Sequence, residues 1–454
     1  MRTAIVLFTR DLRVHDHPAL AAACAGSDRV VPLFVLDPAL QAISANRTSF
    51  LHQALADLRR TLRGLGGDLV VRRGEPVAET IRLARAVAAE TITVSADISR
   101  YARSRARRLA REGSRHRMDV RAFPGVTVVE PGTVHPAGTD HYRVFTPYHR
   151  AWLAARWRSE SGTPRAIRLP GGLDPGELPR PPSGVSPGAM SGGETAGLSR
   201  WRAWLVPSDS SGPGAPDQVC RYADDHDDLA AEATSRLSPY LRFGCVSPLA
   251  LANAARALDG PGPAAFVRQL CWRDFYHQVA FAFPGLATKA LHATREPVWR
   301  RDADALRHWQ DGRTGVPVVD AGMRQLQAEG WMHNRARLIT AAFLTKHLGL
   351  DWRDGVRWFF RWLLDGDIAN NSGNWQWVAG TGNDTRPHRG FNPIRQARRF
   401  DPDGAYVRRH VPELAAIEGG AVHEPWRLSD AVRRDLDYPA PLESPRDEPA
   451  WLRA

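Results

Sequence analysis

The sequence predicts an α/β domain built on a doubly wound parallel sheet, followed by a long connection and an all-helical domain. Three observations predict this order. Short β-rich runs alternate with Ala/Leu/Arg segments of helical length up to about residue 123, and Pro, Gly and Ser are frequent from about 159 to 216. Beyond that point apolar residues such as Trp331, Leu338, Phe343 and Leu344 recur at helical spacing. We place the α/β domain at 1–130, the connection at 131–215 and the helical domain at 216–454.

Five apolar runs predict the strands of the sheet. In order along the chain they are AIVLF, VVPLFVL, DLVVRR, TITVS and DVRAF. No GxGxxG motif follows the first run, and Gly64, Gly66 and Gly67 lie between a predicted helix and the next strand. A Rossmann-type dinucleotide site is therefore not expected in this domain.

Composition favours an anionic partner and a reducing compartment. The formal charge of +12 favours nucleic acid as the partner. Lys289 and Lys346 are the only lysines and the other basic residues are arginines, so a compositional bias of the genome is an alternative explanation of the charge. The four cysteines form no CxxC pair, which argues against a zinc site or a disulfide framework. No run reaches the roughly 18 apolar residues of a membrane span. We expect a soluble, cytoplasmic protein without a metal.

The segment from Asp365 to Asp384 combines carboxylates, amides and two tryptophans, a composition that suits the lining of a site. The spacing of Asp365 and Asp367 suits a turn or the start of a helix. In a helix over 368–378, Trp375 and Trp377 would point about 200° apart. Two core tryptophans beside a capping aspartate are the alternative interpretation.

Several ordered motifs together resemble the photolyase/cryptochrome family over nearly the whole chain. They are FTRDLRVHDHPAL, FTPYHRAW, TSRLSPYLRFGCVSP, QLCWRDFYHQ, WMHNRAR, DGDIANN, WQW and HEPW. The pattern is most similar to class I cyclobutane pyrimidine dimer photolyases. The resemblance implies that the helical domain binds FAD and that the protein repairs UV-damaged DNA with light.

The resemblance assigns the FAD site residue by residue. The positions that match phosphate, ribityl, adenine or ribose contacts are Tyr222, Thr234, Ser235, Arg236, Leu237, Ser238, Arg273, Asn334, Arg337, Asp365 and Asp367. Arg273 and Arg337 are expected to pair with Asp365, and Asn371 matches the residue that faces flavin N5. Taken alone, TSRLS could equally be a helix N-cap with a surface arginine, and Asn371 could be a capping residue.

Three tryptophans match the family's electron-transfer chain, which runs from the flavin to the surface through Trp375, Trp352 and Trp299. Each indole is oxidisable, so a hole can hop outward. Tryptophan is also a common core residue, and core packing is the alternative.

The resemblance also implies a lesion site. Trp272 and Trp377 match the aromatic pair that flanks a flipped dimer, and photolyases are a known case of base flipping. The other matching positions are Gln269, Asn334, Arg335, Leu338 and Gln396. Arginines 395, 398 and 399 lie near Gln396, for which a solvated basic face is the alternative.

Two residues depart from the pattern of dimer-repair enzymes. Gln269 replaces a frequent glutamate and Leu338 a frequent methionine, which leaves the repair efficiency open. The (6-4) photoproduct branch has a second histidine after the first, whereas His333 is followed by Asn334. That difference disfavours (6-4) repair.

In the α/β domain, Arg47 and Asp97 are similar to positions that hold an antenna chromophore. We favour 8-hydroxydeazaflavin over methenyltetrahydrofolate, because SRYARSR lacks the acidic residue that a folate site would place after Ile98. A vacant pocket or a second flavin are alternatives. The function expected is light-driven dimer repair by a monomer; the alternatives are a cryptochrome photoreceptor and a light-independent DNA-binding flavoprotein.

Overall fold

The computed structural model describes residues 1–41, 43–205, 218–383 and 391–442. The end of the predicted connection (206–215) and Asp384 lie outside these residues. By internal contacts the chain forms two units. The first contains residues 1–185, 191–223 and 235–284, and the second contains residues 186–190, 224–234 and 285–454.

The first unit contains a five-stranded parallel sheet. Its strands are β1 (Thr3–Phe8), β2 (Arg29–Leu36), β3 (Val70–Arg73), β4 (Thr91–Ser95) and β5 (Asp119–Phe123), in the order β3-β2-β1-β4-β5. The central strand β1 is buried along its whole length, as expected for a parallel strand covered on both faces. The doubly wound sheet and its five predicted strands are confirmed.

Helices complete the first unit. The α-helices that accompany the sheet are Pro18–Gly26, Pro38–Gln41, Ala45–Gly64, Pro76–Ala86 and Arg100–Arg115. Those that follow are Phe145–Ala154, Glu194–Leu205, Gln218–Asp225, Ser238–Phe243, Pro248–Arg256 and Pro261–Ala282, of which Gln218–Asp225 extends two residues into the second unit.

The connection predicted as irregular differs from expectation at its end, where Glu194–Leu205 is helical. Trp201 and Trp204 of this helix are buried and their rings contact Phe266 at 5.4 and 4.8 Å. The helix therefore forms because it buries two large aromatic side chains, a gain that the Pro/Gly-rich composition around it concealed.

A buried polar network holds the loop after β1. Asp11 contacts His17 at 3.0 Å, and the Arg13 guanidinium donates to four backbone carbonyls, including those of Gly125 and Gly244. Burial raises the pKa of Asp11, but the charge and hydrogen bond of His17 outweigh it and lower this pKa to about 2. The DLRVHDH motif thus has a structural use, which is to fix this loop.

The second unit is helical. Its α-helices are Ala303–Asp311, Pro317–Glu329, Asn334–Ala342, Trp352–Trp362, Ile368–Ala379, Pro393–Phe400, Ala405–His410 and Asp430–Asp435. Phe343–His347 forms a π-helix, and 3-10 turns occupy Ala293–Arg295, Pro412–Leu414, Gly419–His423 and Pro425–Arg427. Trp331, expected within a helix, instead precedes the one that starts at Asn334. The predicted fold class, α/β followed by α, is confirmed. Within the residues described, we find no helix with the length and hydropathy to cross a membrane.

Candidate FAD and DNA-lesion site

Helix Ile368–Ala379 carries three of the predicted site residues and begins at a well-defined cap. The Asp367 carboxylate accepts from the backbone N–H of Asn370 at 2.9 Å and from the Asn370 side chain at 2.9 Å. The first of these bonds satisfies a backbone N–H in the first turn that has no acceptor within the helix. Asp367 is therefore buried as the N-cap, and its role as cap does not prevent a second role toward a ligand.

Asp365 forms a bidentate ion pair with Arg337. The two guanidinium nitrogens donate to the two carboxylate oxygens at 3.0 and 2.8 Å, and Arg337 Nε donates to the Met332 carbonyl at 2.9 Å. The planar guanidinium suits such a two-point contact. The structure thus brings together two of the predicted residues, in the pairing that the resemblance implied.

Asn371 lies one turn into the same helix, on the side that faces helix Trp352–Trp362. Its side-chain amide donates to the Val356 carbonyl at 3.3 Å. Because a neutral amide has two N–H groups and one carbonyl, this bond fixes the orientation and leaves further hydrogen-bonding capacity. The residue can therefore donate to a ligand atom without being an acid.

Trp375 is enclosed by other aromatic rings. It is 2% exposed, and its ring centroid lies 5.0 Å from that of Phe359 and 6.1 Å from that of Trp309. A Cβ on Gly355 would approach the Trp375 ring to 2.1 Å, so only glycine fits at that position of the facing helix. The Trp375 indole N–H is buried with no hydrogen-bond partner among the described residues.

The other two tryptophans of the predicted chain belong to the same hydrophobic cluster as Trp375. Trp352 is fully buried, whereas Trp299 is half-buried at the edge of the cluster. Trp299 Nε1 donates to Glu296 Oε1 at 3.0 Å, and the guanidinium carbon of Arg353 lies 4.6 Å from the Trp352 ring centroid. Burial thus decreases from Trp375 and Trp352 to Trp299, as an outward chain requires.

Except for Thr234, the segment predicted to hold phosphates belongs to the first unit, and its backbone is unusual. Arg236 has φ of +49°, a conformation that a non-glycine residue rarely adopts. The Leu237 N–H is 3.4 Å from the Ser235 hydroxyl, and a helix starts at Ser238. Thr234, the first residue of this segment, is half-buried. Strain of this kind costs about 1–3 kcal/mol and concentrates at functional positions.

Tyr222 and Arg273 are anchored in the same unit. Tyr222 is buried against Trp204, with ring centroids 5.5 Å apart. Arg273 Nη1 donates to the Val126 carbonyl at 2.7 Å and lies 3.4 Å from Asp274. The expected pairing of Arg273 with Asp365 stays a prediction.

Helix Pro261–Ala282 also carries Gln269 and Trp272, which are three residues apart and share a face. Gln269 is exposed, and Trp272 is half-buried. One face of the Trp272 ring is covered by Phe145, with centroids 3.6 Å apart and planes nearly parallel. The rigid stack supplies a flat aromatic platform next to an exposed amide.

The predicted lesion residues of the second unit have mixed surroundings. Asn334 is exposed, and Leu338 and Trp377 are half-buried against the hydrophobic cluster. Arg335 forms an ion pair with Asp227 and lies over the Phe400 ring at 4.2 Å. Gln396 is half-buried, and its carbonyl oxygen has no hydrogen-bond partner among the described residues.

The two predicted antenna residues follow different elements of the sheet domain. Asp97, just past the carboxyl end of β4, contacts Arg10 at 3.5 Å and accepts from the Ile98 N–H at 2.6 Å. Arg10 follows β1, the neighbour of β4, where the strand order reverses. Ligands of doubly wound sheets bind at such a point. Arg47 is half-buried near the start of helix Ala45–Gly64.

Comparison with known proteins decides the family. Residues 4–166 match the family model described as DNA photolyase, and residues 266–448 match that described as FAD binding domain of DNA photolyase. Over 449 residues the chain is 48% identical to the deoxyribodipyrimidine photo-lyase of Streptomyces griseus, covering 97% of this chain and 96% of that one. The chain belongs to the DNA photolyase family.

Solved photolyases have the same fold. A bacterial class III photolyase from Agrobacterium tumefaciens has a TM-score of 0.90 and 32% identity, with 98% of this chain and 94% of that one covered. An archaeal photolyase from Sulfolobus tokodaii, described with two FAD molecules, has a TM-score of 0.85 and 26% identity, with 99% and 98% covered. The resemblance inferred from the motifs is therefore confirmed.

The residues present fit an FAD of the photolyase type. Next to Asn371, the Ser372 hydroxyl and the Trp375 indole N–H are buried without hydrogen-bond partners among the described residues. Buried polar groups normally have partners, so these atoms are consistent with a polar ligand beside the helix. The strained Arg236 in the phosphate segment agrees with this.

Sequence reasoning missed three residues around the tryptophans of this photolyase. Glu296 and Arg353 contact Trp299 and Trp352, and Gly355 makes room for Trp375. The only sequence signal was proximity, since Glu296 precedes Trp299 by three residues and Arg353 follows Trp352 directly.

Proposed function

We propose that this photolyase repairs cyclobutane pyrimidine dimers in UV-damaged DNA by light-driven electron transfer. The observation that carries the proposal is the 48% identity, over nearly both whole chains, to a deoxyribodipyrimidine photo-lyase. The helix with Asp367, Asn371 and Trp375 supports it. Repair is favoured over the cryptochrome alternative.

FAD is the cofactor, and we propose its site from the residues that match the family pattern. Ser235, Arg236, Leu237 and Ser238, with Thr234 and Tyr222, are proposed to bind the phosphates and ribityl chain. Asp365, Asp367, Arg273, Arg337 and Asn334 are proposed on the adenine and ribose side, and Asn371 at N5. When bound and reduced, FAD supplies the light absorption and the electron. The chain's part is to bind it, orient it and exclude water.

The lesion is proposed to stack on Trp272 and Trp377. Flat aromatic rings suit an extruded pyrimidine pair, and stacking tolerates either base. Gln269 would hydrogen-bond the pyrimidine edge, Leu338 would contact the ring, and Asn334, Arg335 and Gln396 would contact the DNA. Because Arg335 is already paired with Asp227, its contribution to phosphate binding is expected to be smaller than that of an unpaired arginine.

The second chromophore is proposed to be 8-hydroxydeazaflavin, held by Arg47 and Asp97 in the sheet domain. A second flavin is the competing occupant, and the S. tokodaii photolyase is described with two FAD molecules. Reconstitution of the purified protein with each chromophore, followed by energy-transfer measurements, separates the two. We also propose that the protein is monomeric and cytoplasmic.

The decisive experiment is anaerobic repair of a defined substrate. The purified protein is photoreduced and mixed with oligothymidine that contains cyclobutane dimers, and thymine absorbance is followed under blue light. We expect recovery in the light and none in the dark or with undamaged oligothymidine. Reduced, FAD-loaded protein that restores no thymine in the light would contradict dimer repair and favour a photoreceptor.

A further inference from the structure

Glu296 contacts Trp299, the outer tryptophan of the predicted chain, and Arg353, which packs on the middle tryptophan, Trp352. Its Oε1 accepts from Trp299 Nε1 at 3.0 Å. The same carboxylate pairs with Arg353, at 2.5 Å to Oε1 and 3.2 Å to Oε2. The side chains of Glu296 and Arg353 are 22% and 23% exposed, so this ion pair is largely removed from water.

Arg353 lies over the middle tryptophan. Its guanidinium carbon is 4.6 Å from the Trp352 ring centroid, within the range of a cation–π contact. Arg353 Nε donates to the Thr288 carbonyl at 2.8 Å, and Nη1 lies 3.1 Å from Asp351, which fixes the group in place. The Glu296 carboxylate also interacts with the Trp352 indole, so charges of both signs lie next to Trp352, whereas Trp299 donates to the carboxylate.

The carboxylate matters because an oxidised indole carries a positive charge. Glu296 favours that charge on Trp299, to which it is hydrogen-bonded. The hydrogen bonds from Arg353 lower the pKa of Glu296, which keeps the carboxylate ionised near neutral pH.

We propose that Glu296 accepts the Nε1 proton of Trp299 once the electron hole has reached this outer tryptophan. One electron moves from Trp299 to oxidised Trp352, which restores neutral Trp352. The Trp299 N–H bond then breaks and its proton binds Glu296 Oε1, leaving a neutral indolyl radical. An oxidised indole is a far stronger acid than a neutral one, so a carboxylate at hydrogen-bond distance is a competent acceptor.

The inference rests on the proposed function and on the tryptophan chain that the resemblance implies, through which bound FAD would be photoreduced. Its test is flash photolysis of FAD-loaded protein, with the cationic and neutral tryptophan radicals distinguished by their spectra. In Glu296→Gln the amide keeps the size and can accept the same hydrogen bond, but it carries no charge and is a poor base. We expect the cationic form to convert to the neutral radical about tenfold more slowly, equivalent to about 1.4 kcal/mol in the barrier.

Two further variants separate charge from structure. Glu296→Asp keeps the carboxylate and should lie closer to wild type than Glu296→Gln does. Glu413→Gln removes a carboxylate that pairs with Arg324 at 2.6 Å in the same unit and should behave as wild type. Equal radical conversion in wild type and Glu296→Gln would overturn the inference. Failure of wild type to photoreduce at all would overturn the proposed tryptophan chain with it.

A measurement without photochemistry tests the contact itself. In protein labelled with ¹⁵N-tryptophan, the Trp299 indole N–H resonance is identified by its loss in Trp299→Phe. A strong hydrogen bond to a carboxylate should hold this resonance downfield, and Glu296→Gln should move it upfield. A resonance that does not move would exclude Glu296 as its acceptor.

Discussion

Helix Pro261–Ala282 and helix Ile368–Ala379 each supply a tryptophan to the proposed repair, one to stack on the lesion and one to transfer electrons, and they hold these side chains in opposite ways. Trp375 is enclosed by Phe359 and Trp309 and fits against Gly355. Trp272 is half-buried. Its ring stacks on Phe145 with centroids 3.6 Å apart, and the rings of Phe275 and Tyr276 are more distant. An electron donor needs a fixed, dry position, whereas a residue that receives a base needs an accessible face.

Trp375→Phe should have the largest effect. Phenylalanine keeps an aromatic ring in the cluster but is much harder to oxidise, so we expect FAD binding to persist while photoreduction falls by more than about tenfold, or about 1.4 kcal/mol in the barrier. The measurement is the bleaching of oxidised FAD under blue light with an external reductant. The matched control is Trp331→Phe, a buried tryptophan of the same unit outside the chain. Photoreduction at the wild-type rate would exclude Trp375 as the first donor.

Asp274, two residues after Trp272, tests how its helix is anchored. The carboxylate is fully buried and accepts from Val128 N, Val129 N and Trp152 Nε1 at 2.8, 3.1 and 3.0 Å. Burial raises its pKa from 3.8 to about 6, despite the opposing effect of Arg273. Between pH 3.8 and about 6 the folded state binds more protons than the unfolded state. The stabilisation that the protonated Asp274 carboxyl contributes is therefore present below this range and is lost as pH rises through about 6.

Asp274→Asn should remove that dependence. Relative to the variant, wild type should lose about 1.4 kcal/mol of unfolding free energy between pH 5 and pH 7.5. Urea denaturation at several pH values measures it, and comparing the two proteins cancels the other titrating groups. Parallel curves for the two proteins would show that Asp274 has an ordinary pKa.

Trp272→Ala tests the accessible tryptophan. If a flipped dimer stacks on it, the variant should bind lesion-containing DNA more weakly by about 1–3 kcal/mol. Affinity for undamaged duplex should change little, because backbone contacts dominate there. Trp157→Ala, which truncates another half-buried tryptophan of the same unit, is the control for loss of packing. Equal lesion affinity in wild type and Trp272→Ala would remove Trp272 from the site.

The sequence could predict the features that depend on neighbours along the chain. Local patterns sufficed for the five strands and for the cap at Asp367. The Asp365–Arg337 pair required the family resemblance, because its partners are 28 positions apart. The positive φ of Arg236, the contact of Gly355 with Trp375 and the position of Glu296 depend on tertiary packing, which no local pattern encodes.

Gln269→Glu should have the smallest effect on repair, because it changes only one exposed residue on the helix that carries Trp272. Gln269 is exposed one turn before Trp272, so the substitution costs little stability. A glutamate could stabilise charge that develops on the pyrimidine during repair, which an amide cannot do equally well. At saturating DNA we expect repair per absorbed photon to rise less than about threefold, or about 0.7 kcal/mol. Affinity should fall slightly, because a negative charge is added near phosphates.

Gln269→Ala is the control, and it should lower repair relative to wild type. If glutamate lowers repair as alanine does, the amide itself is the group that this photolyase uses, and the departure at position 269 is a working alternative to the acid.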